Sequence, residues 1–415
     1  MNKKILLSGI LIAGSLLSNA QNKKVTYAIT GDGNKDFVWM NIREVDLSTG
    51  LVTKTLFDRS KSSFTLTDVN TKKLTTDKDV VAENILTAAN VPTSTFVAAA
   101  AYDNRTNKLF YAPMRRGELR WLDLSSSDKT PAFYTSQINN YKLLDANDEA
   151  TNITRMVIGA DGMGYALSND GNHFFSFTTT GKVPVITDLG GLVDADENSG
   201  ISIHNKCSCW GGDMIADAFG KLYVISASHN VFVIDPVTRI ATYKGSISGL
   251  PANYTTNAAA VNEEGIIVVA SANLFEGYYK LSIKDLKATK MEGSDTKYNA
   301  SDFANGNLLF QKEANELLGG KITAPVKISS STKVFPNPVT NSSFNVILDN
   351  QSAGKYVITV SDLTGRVFST KTTQIIEGIQ TEKVKLNSGM SKGIYIVKAI
   401  DEKGTIIINE KIFVQ

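Results

Sequence analysis

The sequence predicts an all-β chain: a β-propeller-like domain followed by a small β-sandwich of immunoglobulin-like architecture. Three observations carry that expectation. A turn followed by an apolar strand recurs through the middle of the chain, and an aromatic or apolar strand with its own turn follows each copy. The last roughly eighty residues read as short strands rich in β-branched side chains, separated by turn residues.

The repeats are TNKLFYAP from Thr106, DGMGYALS from Asp161, FGKLYVIS from Phe219 and EGIIVVAS from Glu264, with a fifth, NGNLLFQ, from Asn305. Their partners are LRWLDLSS from Leu119, FFSFTTTGKVPVI from Phe174, VFVIDPVTRIATY from Val231 and YYKLSIKDLKATK from Tyr278. Successive units start 41 to 58 residues apart, the period of propeller blades with loops. VIDPVTRIA, from Val233, also resembles the repeats of surface-layer-type propellers.

The ends of the region supply the topology. The unit at Asn305 lacks its second half, whereas MNIREVDLSTGLVTKTLF from Met40 is a second half without a clear first. Pairing the two termini in one blade would close the ring and remove the exposed strand edges of an open array. Five repeats are visible, and the length accommodates six or seven blades. Residues 58–97 fit no unit and read as a degenerate blade or an insertion.

In the tail, Pro336-Asn337-Pro338 marks an opening turn, since a proline has no N–H for a central strand. Asp362-Leu363-Thr364-Gly365 has the Asp-first, Gly-last order of a type I turn. Strand-like runs lie at Val357–Ser361, at Gly393–Val397 through Tyr395, and at Lys411–Gln415. Five to seven strands of this kind suit a sandwich, and the pattern by itself also suits a carbohydrate-binding or fibronectin-like module.

Together, in this order, those elements resemble the type A C-terminal sorting domain of the Bacteroidetes type IX secretion system. The resemblance covers residues 333–415, about a fifth of the chain. It implies export across the outer membrane, partnership with the secretion machinery, and removal of the tail by a sortase-like protease. The passenger would then be released or attached to the cell surface, and no tail residue would belong to an active site.

The N-terminus agrees. Lys3 and Lys4 form a basic segment, residues 5–17 an apolar one, and Ser18-Asn19-Ala20 a small-residue cleavage site before Gln21. This reads as a secretory signal peptide at 1–20, with a retained anchor as the alternative. The apolar segment falls short of the roughly 20 residues of a membrane span. The domain expectation is therefore a signal peptide at 1–20, a passenger at 21–321, a linker at 322–332 and a sorting domain at 333–415.

Composition narrows the partners. With Lys3 and Lys4 in the leader, the 43 basic residues fall level with the 41 acidic ones. No basic cluster invites nucleic acid. Two cysteines in 415 residues do not make a disulfide scaffold.

Chemistry is sparse. Three histidines occur, with no GxSxG, HExxH or P-loop. The one dense cluster is His204, Cys207, Cys209, Trp210 and Asp213, followed by Asp217. Its thiols and imidazole would suit a soft metal, although a Cys-x-Cys spacing is short for zinc and reads first as a tight loop, a strained disulfide or two free thiols. Trp210 reads first as a wedge between blades and second as a ligand platform. The six residues are the candidate binding site because long loops on one propeller face carry function.

Two acidic runs raise calcium as a cofactor. Asp32-Gly33-Asn34-Lys35-Asp36 and Asp194-Ala195-Asp196-Glu197-Asn198 place oxygen side chains at alternate positions. Both lack the calcium-loop glycine, replaced by Phe37 and Ser199, and its terminal glutamate, replaced by Arg43 and Asn205, so solvated turns are the first reading. No cofactor is expected outright.

Three classes of function stand. The first is a non-catalytic binding module for an extracellular glycan, peptide or protein. The second is a secreted polysaccharide hydrolase or lyase, which needs carboxylates paired about 5 to 9 Å apart in a central pocket. The third is a structural surface-layer component. No residue is assigned as catalytic.

Overall fold

The computed structural model describes residues 25–33, 37–75, 91–126, 130–139, 141, 148–293, 298–317, 333–335, 337–339, 343–362, 366–375, 378–387, 390–402 and 404–414. The chain divides into two compact units, 1–320 and 321–415. The expected signal peptide with Ala20 and Gln21, the linker, and the turn residues Pro336 and Gly365 lie outside the described residues.

The first unit is a propeller of five blades among the described residues. Blade 2 runs outward from Val97–Asp103 through Lys108–Pro113 and Glu118–Asp123 to Ala132–Gln137. Blade 3 runs from Ile153–Ile158 through Gly164–Ser168 and Phe174–Phe177 to Ile186–Asp188. In blade 4 the order is Asp213–Ala216, Leu222–Ile225, Asn230–Ile234, Ile240–Ser246 and, outermost, Val193–Asp194. Blade 5 comprises Ala258–Val261, Ile267–Ala270, Tyr279–Ser282 and Lys287–Lys290.

Blade 1 closes the ring. Its three outer strands, Thr26–Thr30, Asn41–Asp46 and Leu51–Phe57, come from the N-terminal side. Its innermost strand is Ala300–Ala304, antiparallel to Thr26–Thr30 with Ala28 opposite Phe303. The two termini therefore share one blade, as the sequence suggested.

Strand alternation builds the packing between blades, because successive side chains leave opposite faces of a blade. Tyr27 and Ile29 face blade 2, where they pack with Val97, Leu109 and Phe133. Ala28, one position away, faces blade 5 and joins Ala258, Ala260 and Val268. Equivalent clusters join blades 2 and 3 through Phe110 and Phe177, blades 3 and 4 through Leu167 and Phe232, and blades 4 and 5 through Ile225 and Val269. Five such cores make a closed cycle. Edge-on aromatic pairs add to them, with Phe57 and Phe133 at 5.2 Å across blades 1 and 2. Such a pair contributes about 1 kcal/mol beyond its buried area.

Two expectations change and a third narrows to one of its alternatives. Five inner strands already adjoin in a ring, so the fold has five blades rather than six or seven. Of residues 58–97, the described ones before Val97 add no blade of their own and form an insertion, one of the two expected alternatives. Within them Thr65–Asp68 pairs in parallel with Ala132–Gln137, and Lys73–Leu74 extends the edge of blade 2. The fifth repeat, at Asn305, is no blade strand. Leu309 makes an isolated bridge to Asp217, and Gln311–Leu317 is a short helix.

Among the described residues, the second unit has seven strands in two sheets. Lys333–Phe335, Ser343–Gln351 and Gly378–Lys385 form one, and Val367–Ile375, Gly354–Ser361, Gly393–Ile400 and Ile406–Val414 the other. Val346 and Leu348 of the first sheet meet Ile358, Val360 and Val397 of the second in one core, which makes a sandwich. Asn337 ties the opening turn to the last strand: its amide donates to the carbonyl of Lys411 and its Oδ1 accepts the Phe413 N–H, both at 2.9 Å. Asp362 caps its turn by accepting the Arg366 N–H at 3.0 Å, and Tyr395, inside the core, donates to the Ser391 carbonyl at 2.9 Å. Pro338 follows Asn337 at the exposed turn.

Candidate functional site: the mouth of the propeller

Inner strands that converge on an axis leave a funnel where they begin. Here the funnel is a cavity of about 390 Å³. Its wall carries three aromatic side chains, Trp39, Phe96 and Trp210, and three amides, Asn169, Asn257 and Asn273. Arg115 and Glu149 stand at it with opposite charges. Volume and mixed lining fall in the range of small-ligand sites.

The aromatic wall has two parts. Trp39 lies edge-on to Phe37 and Phe96, with ring centroids 6.3 and 6.1 Å away. Trp210 is half-buried and carries the Lys206 ammonium 4.8 Å from its ring centroid. The structure thus puts Trp210 at the cavity wall, where the sequence suggested a wedge first.

The loop that delivers Trp210 is built from local chemistry. Asn205 caps a single helical turn, Lys206–Cys209, by accepting the N–H groups of Cys207 and Ser208 at 3.0 and 3.1 Å. Gly212 then turns into the inner strand at φ +93°, and a Cβ there would meet the Ile225 carbonyl oxygen at 1.9 Å. Only glycine fits. From blade 3 the buried Arg155 donates to the carbonyls of Gly211 at 3.0 Å, Ser168 at 3.2 Å and Cys209. Burial pulls its guanidinium down to about 10, so it stays charged at neutral pH.

The six residues proposed from sequence part company. Trp210 reaches the mouth. His204 is half-buried, its Nδ1 2.7 Å from the Asp170 carbonyl. Cys207 is exposed and Cys209 buried, both free thiols, and burial pushes the Cys209 thiol up. Asp217 sits at the far end of the strand, accepting the N–H groups of Phe219 and Lys221 and the Tyr223 hydroxyl in a hairpin turn. Asp213 is fully buried at the strand's start.

The loop thus holds its thiols, imidazole and carboxylates apart. Among the described residues no three His, Cys, Asp or Glu side chains gather as a metal site. The Asp194 run ends the outermost strand of blade 4 and continues as a turn of 3-10 helix, Asp196–Asn198, and the Asp194 carboxylate accepts the Ile203 N–H at 2.9 Å. Residues 34–36 of the other run lie outside the described residues.

Below the mouth, two carboxyl groups meet at the axis. Asp213 Oδ1 accepts the Met214 N–H at 2.6 Å, and its Oδ2 accepts those of Ala259 at 2.6 Å and Phe303 at 3.3 Å. Asp302 is equally buried, with the Ala100 backbone beside it and no donor in good hydrogen-bond geometry to either carboxyl oxygen. Burial raises both groups well above the ordinary carboxylate range, and the Asp213 charge adds to the rise at Asp302. The axis beyond is filled by Ala100, Met156, Met214, Ala259 and Phe303 around a void of about 20 Å³, room for about one water.

Sequence reading missed Trp39, Phe96, Arg155, Asn257 and Asp302. Each lies on, or within two residues of, the start of an inner strand, except Trp39, which enters from blade 1. The missing signal was that short inner strand, preceding each recognised repeat.

Residues 333–415 match the family of secretion system C-terminal sorting domains. The chain is thus a type IX sorted protein, exported to the cell surface or beyond it. No curated protein matches the chain. Among solved structures, PorZ, a bacterial surface component of the type IX secretion system of Porphyromonas gingivalis, is similar at 15% identity and a TM-score of 0.33. That match covers 94% of this chain and 51% of PorZ, so the chain spans about half its length. Glutaminyl cyclase of Myxococcus xanthus is similar at 14% identity and TM-score 0.29, over 71% of this chain and 93% of that one. Virginiamycin B lyase from Staphylococcus aureus follows at 8% identity and TM-score 0.28, over 76% and 83%. The propeller assignment rests on the strand pairing itself. No helix among the described residues is long and apolar enough to cross a membrane.

Proposed function

We propose that the exported propeller is a non-catalytic binding module that takes an extracellular glycan in its mouth. The mature passenger starts after Ala20 and parts from its sorting domain outside the cell, through a sortase-like protease.

One observation carries this reading: the mouth combines Trp39, Phe96 and Trp210 with the amides of Asn169, Asn257 and Asn273. Flat aromatic surfaces cover the apolar face of a sugar, and amides can both donate to and accept from its hydroxyl groups. The hydrolase alternative needs two carboxylates that reach substrate. Asp213 and Asp302 are both 0% exposed, beneath the cavity rather than in it.

The test is a glycan array followed by calorimetry on the secreted protein. The proposal expects saturable glycan binding that Trp210→Ala and Asn257→Ala each weaken at least about tenfold, as loss of a central aromatic or polar contact does. Peptide binding without glycan binding, or turnover of the glycan, would overturn it.

A further inference from the structure

We propose that Asp213 and Asp302 share one proton at the propeller axis, forming a latch that holds the ring-closing strand only while the proton stays. The geometry assigns the two roles. Asp213 accepts three backbone N–H groups, so it is the carboxylate. Asp302 has the backbone of Ala100 beside it, against three N–H groups on Asp213, so it is the acid, and its O–H donates to Asp213. A neutral acid beside a carboxylate is the ordinary solution when two buried carboxyl groups adjoin.

The position gives the proton its consequence. Ala300–Ala304 is the strand contributed from the C-terminal side of the propeller, and it closes blade 1. Asp213 holds it through the Phe303 N–H, and holds blade 5 through Ala259. Asp302 is the residue before Phe303. One carboxyl pair therefore joins blades 4, 5 and 1 at the seam of the ring.

Charge balance favours a single proton. The inner strands of blades 2 and 5 bring only Ala100 and Ala259 to the pair, and blade 3 brings Arg155, whose positive charge interacts with Asp213. Arg155 also faces Asp170, so its one positive charge already answers the Asp213 carboxylate and Asp170 and leaves none for a second charge on the pair. Release of the Asp302 proton to solvent leaves two buried negative charges facing each other with one positive charge nearby. A hard cation would be the other way to neutralise them, but it takes about six or more oxygen ligands, and no third carboxylate or histidine joins this pair among the described residues.

The sign follows from linkage. A carboxyl whose proton is held more tightly in the folded state gives stability that is full below the unfolded carboxylate range. That stability is lost as pH rises through the raised folded value.

The experiment is thermal unfolding of the full chain from about pH 5 to about pH 9, with infrared spectra at neutral pH. The wild-type propeller transition is expected to fall by about 5 °C or more over that range. Asp302→Asn keeps a donor to Asp213 without a titrating proton, so its transition should stay flat. The infrared band of a protonated buried carboxyl should be present in the wild type at neutral pH and lost in the variant. A wild type without that band, a variant with the wild-type pH slope, or stabilisation by added calcium or magnesium would each overturn the shared proton.

Discussion

Asp213 Oδ2 accepts the backbone N–H of Ala259 at 2.6 Å, so a side chain from blade 4 does the work of a sheet hydrogen bond on blade 5. Inner strands of neighbouring blades belong to different sheets and share no ladder. A buried acceptor between them satisfies donors that would otherwise be lost to water and partner alike.

Replacing that acceptor should be costly. Asp213→Ala leaves the buried N–H groups of Ala259 and Phe303 without partners, and we expect a loss of about 3 kcal/mol in the propeller transition. Urea unfolding followed by tryptophan fluorescence reads it. An unchanged midpoint would mean the two blades are held by apolar packing alone.

Arg155 should control the accessibility of Cys209. It pins the Cys209 and Gly211 carbonyls, which keeps Cys209 buried while Cys207 stays exposed. The native protein should therefore label with a thiol reagent at Cys207 alone. In Arg155→Ala both thiols should label, with a stability loss of about 3 kcal/mol. Mass spectrometry of labelled peptides separates the two positions.

Glu118 should set an acid limit. Its Oε2 accepts from Arg120 at 2.7 and 2.9 Å and from Thr135 at 2.9 Å, and its Oε1 accepts from Gln137 at 2.8 Å. Burial works to raise this carboxyl, but Arg120, Arg116 and Thr135 outweigh burial and lower it. A lowered carboxylate gives stability above the unfolded value that is lost as pH falls through the folded one. Glu118→Gln should cost about 2 kcal/mol at neutral pH and nothing at about pH 2. Chemical denaturation at both values measures the difference, and equal losses would place the effect in packing instead.

The tail should be necessary for export and absent afterwards. A chain ending before Lys333 is expected to stay inside the cell envelope, while the full chain reaches the medium or surface without residues 333–415. Mass spectrometry of the fractions tests both. A tail persisting on the external protein would make the sandwich a working module.

The architecture was legible in the sequence wherever strands alternate at the surface of a blade. Lys108–Pro113 with Glu118–Asp123, and Leu222–Ile225 with Asn230–Ile234, carry apolar runs and turns that period-two patterning detects. The sorting domain was legible because its turns and strands come in a fixed order near Gln415. The inner strands were not. Val97–Asp103 and Ala258–Val261 are alanine-rich because the blades crowd together at the axis, and alanine carries little strand signal.

The sequence by itself therefore determined the fold class, the pairing of the termini and the destination of the chain, all of which follow from local pattern along the backbone. Tertiary structure alone decided the number of blades, the make-up of the mouth and the meeting of Asp213 with Asp302. The physical reason is that a propeller gathers one residue from each of several distant strands onto a common axis. Asp213 and Asp302 stand far apart along the chain, on the inner strands of blades 4 and 1, so no spacing in the sequence records that they meet.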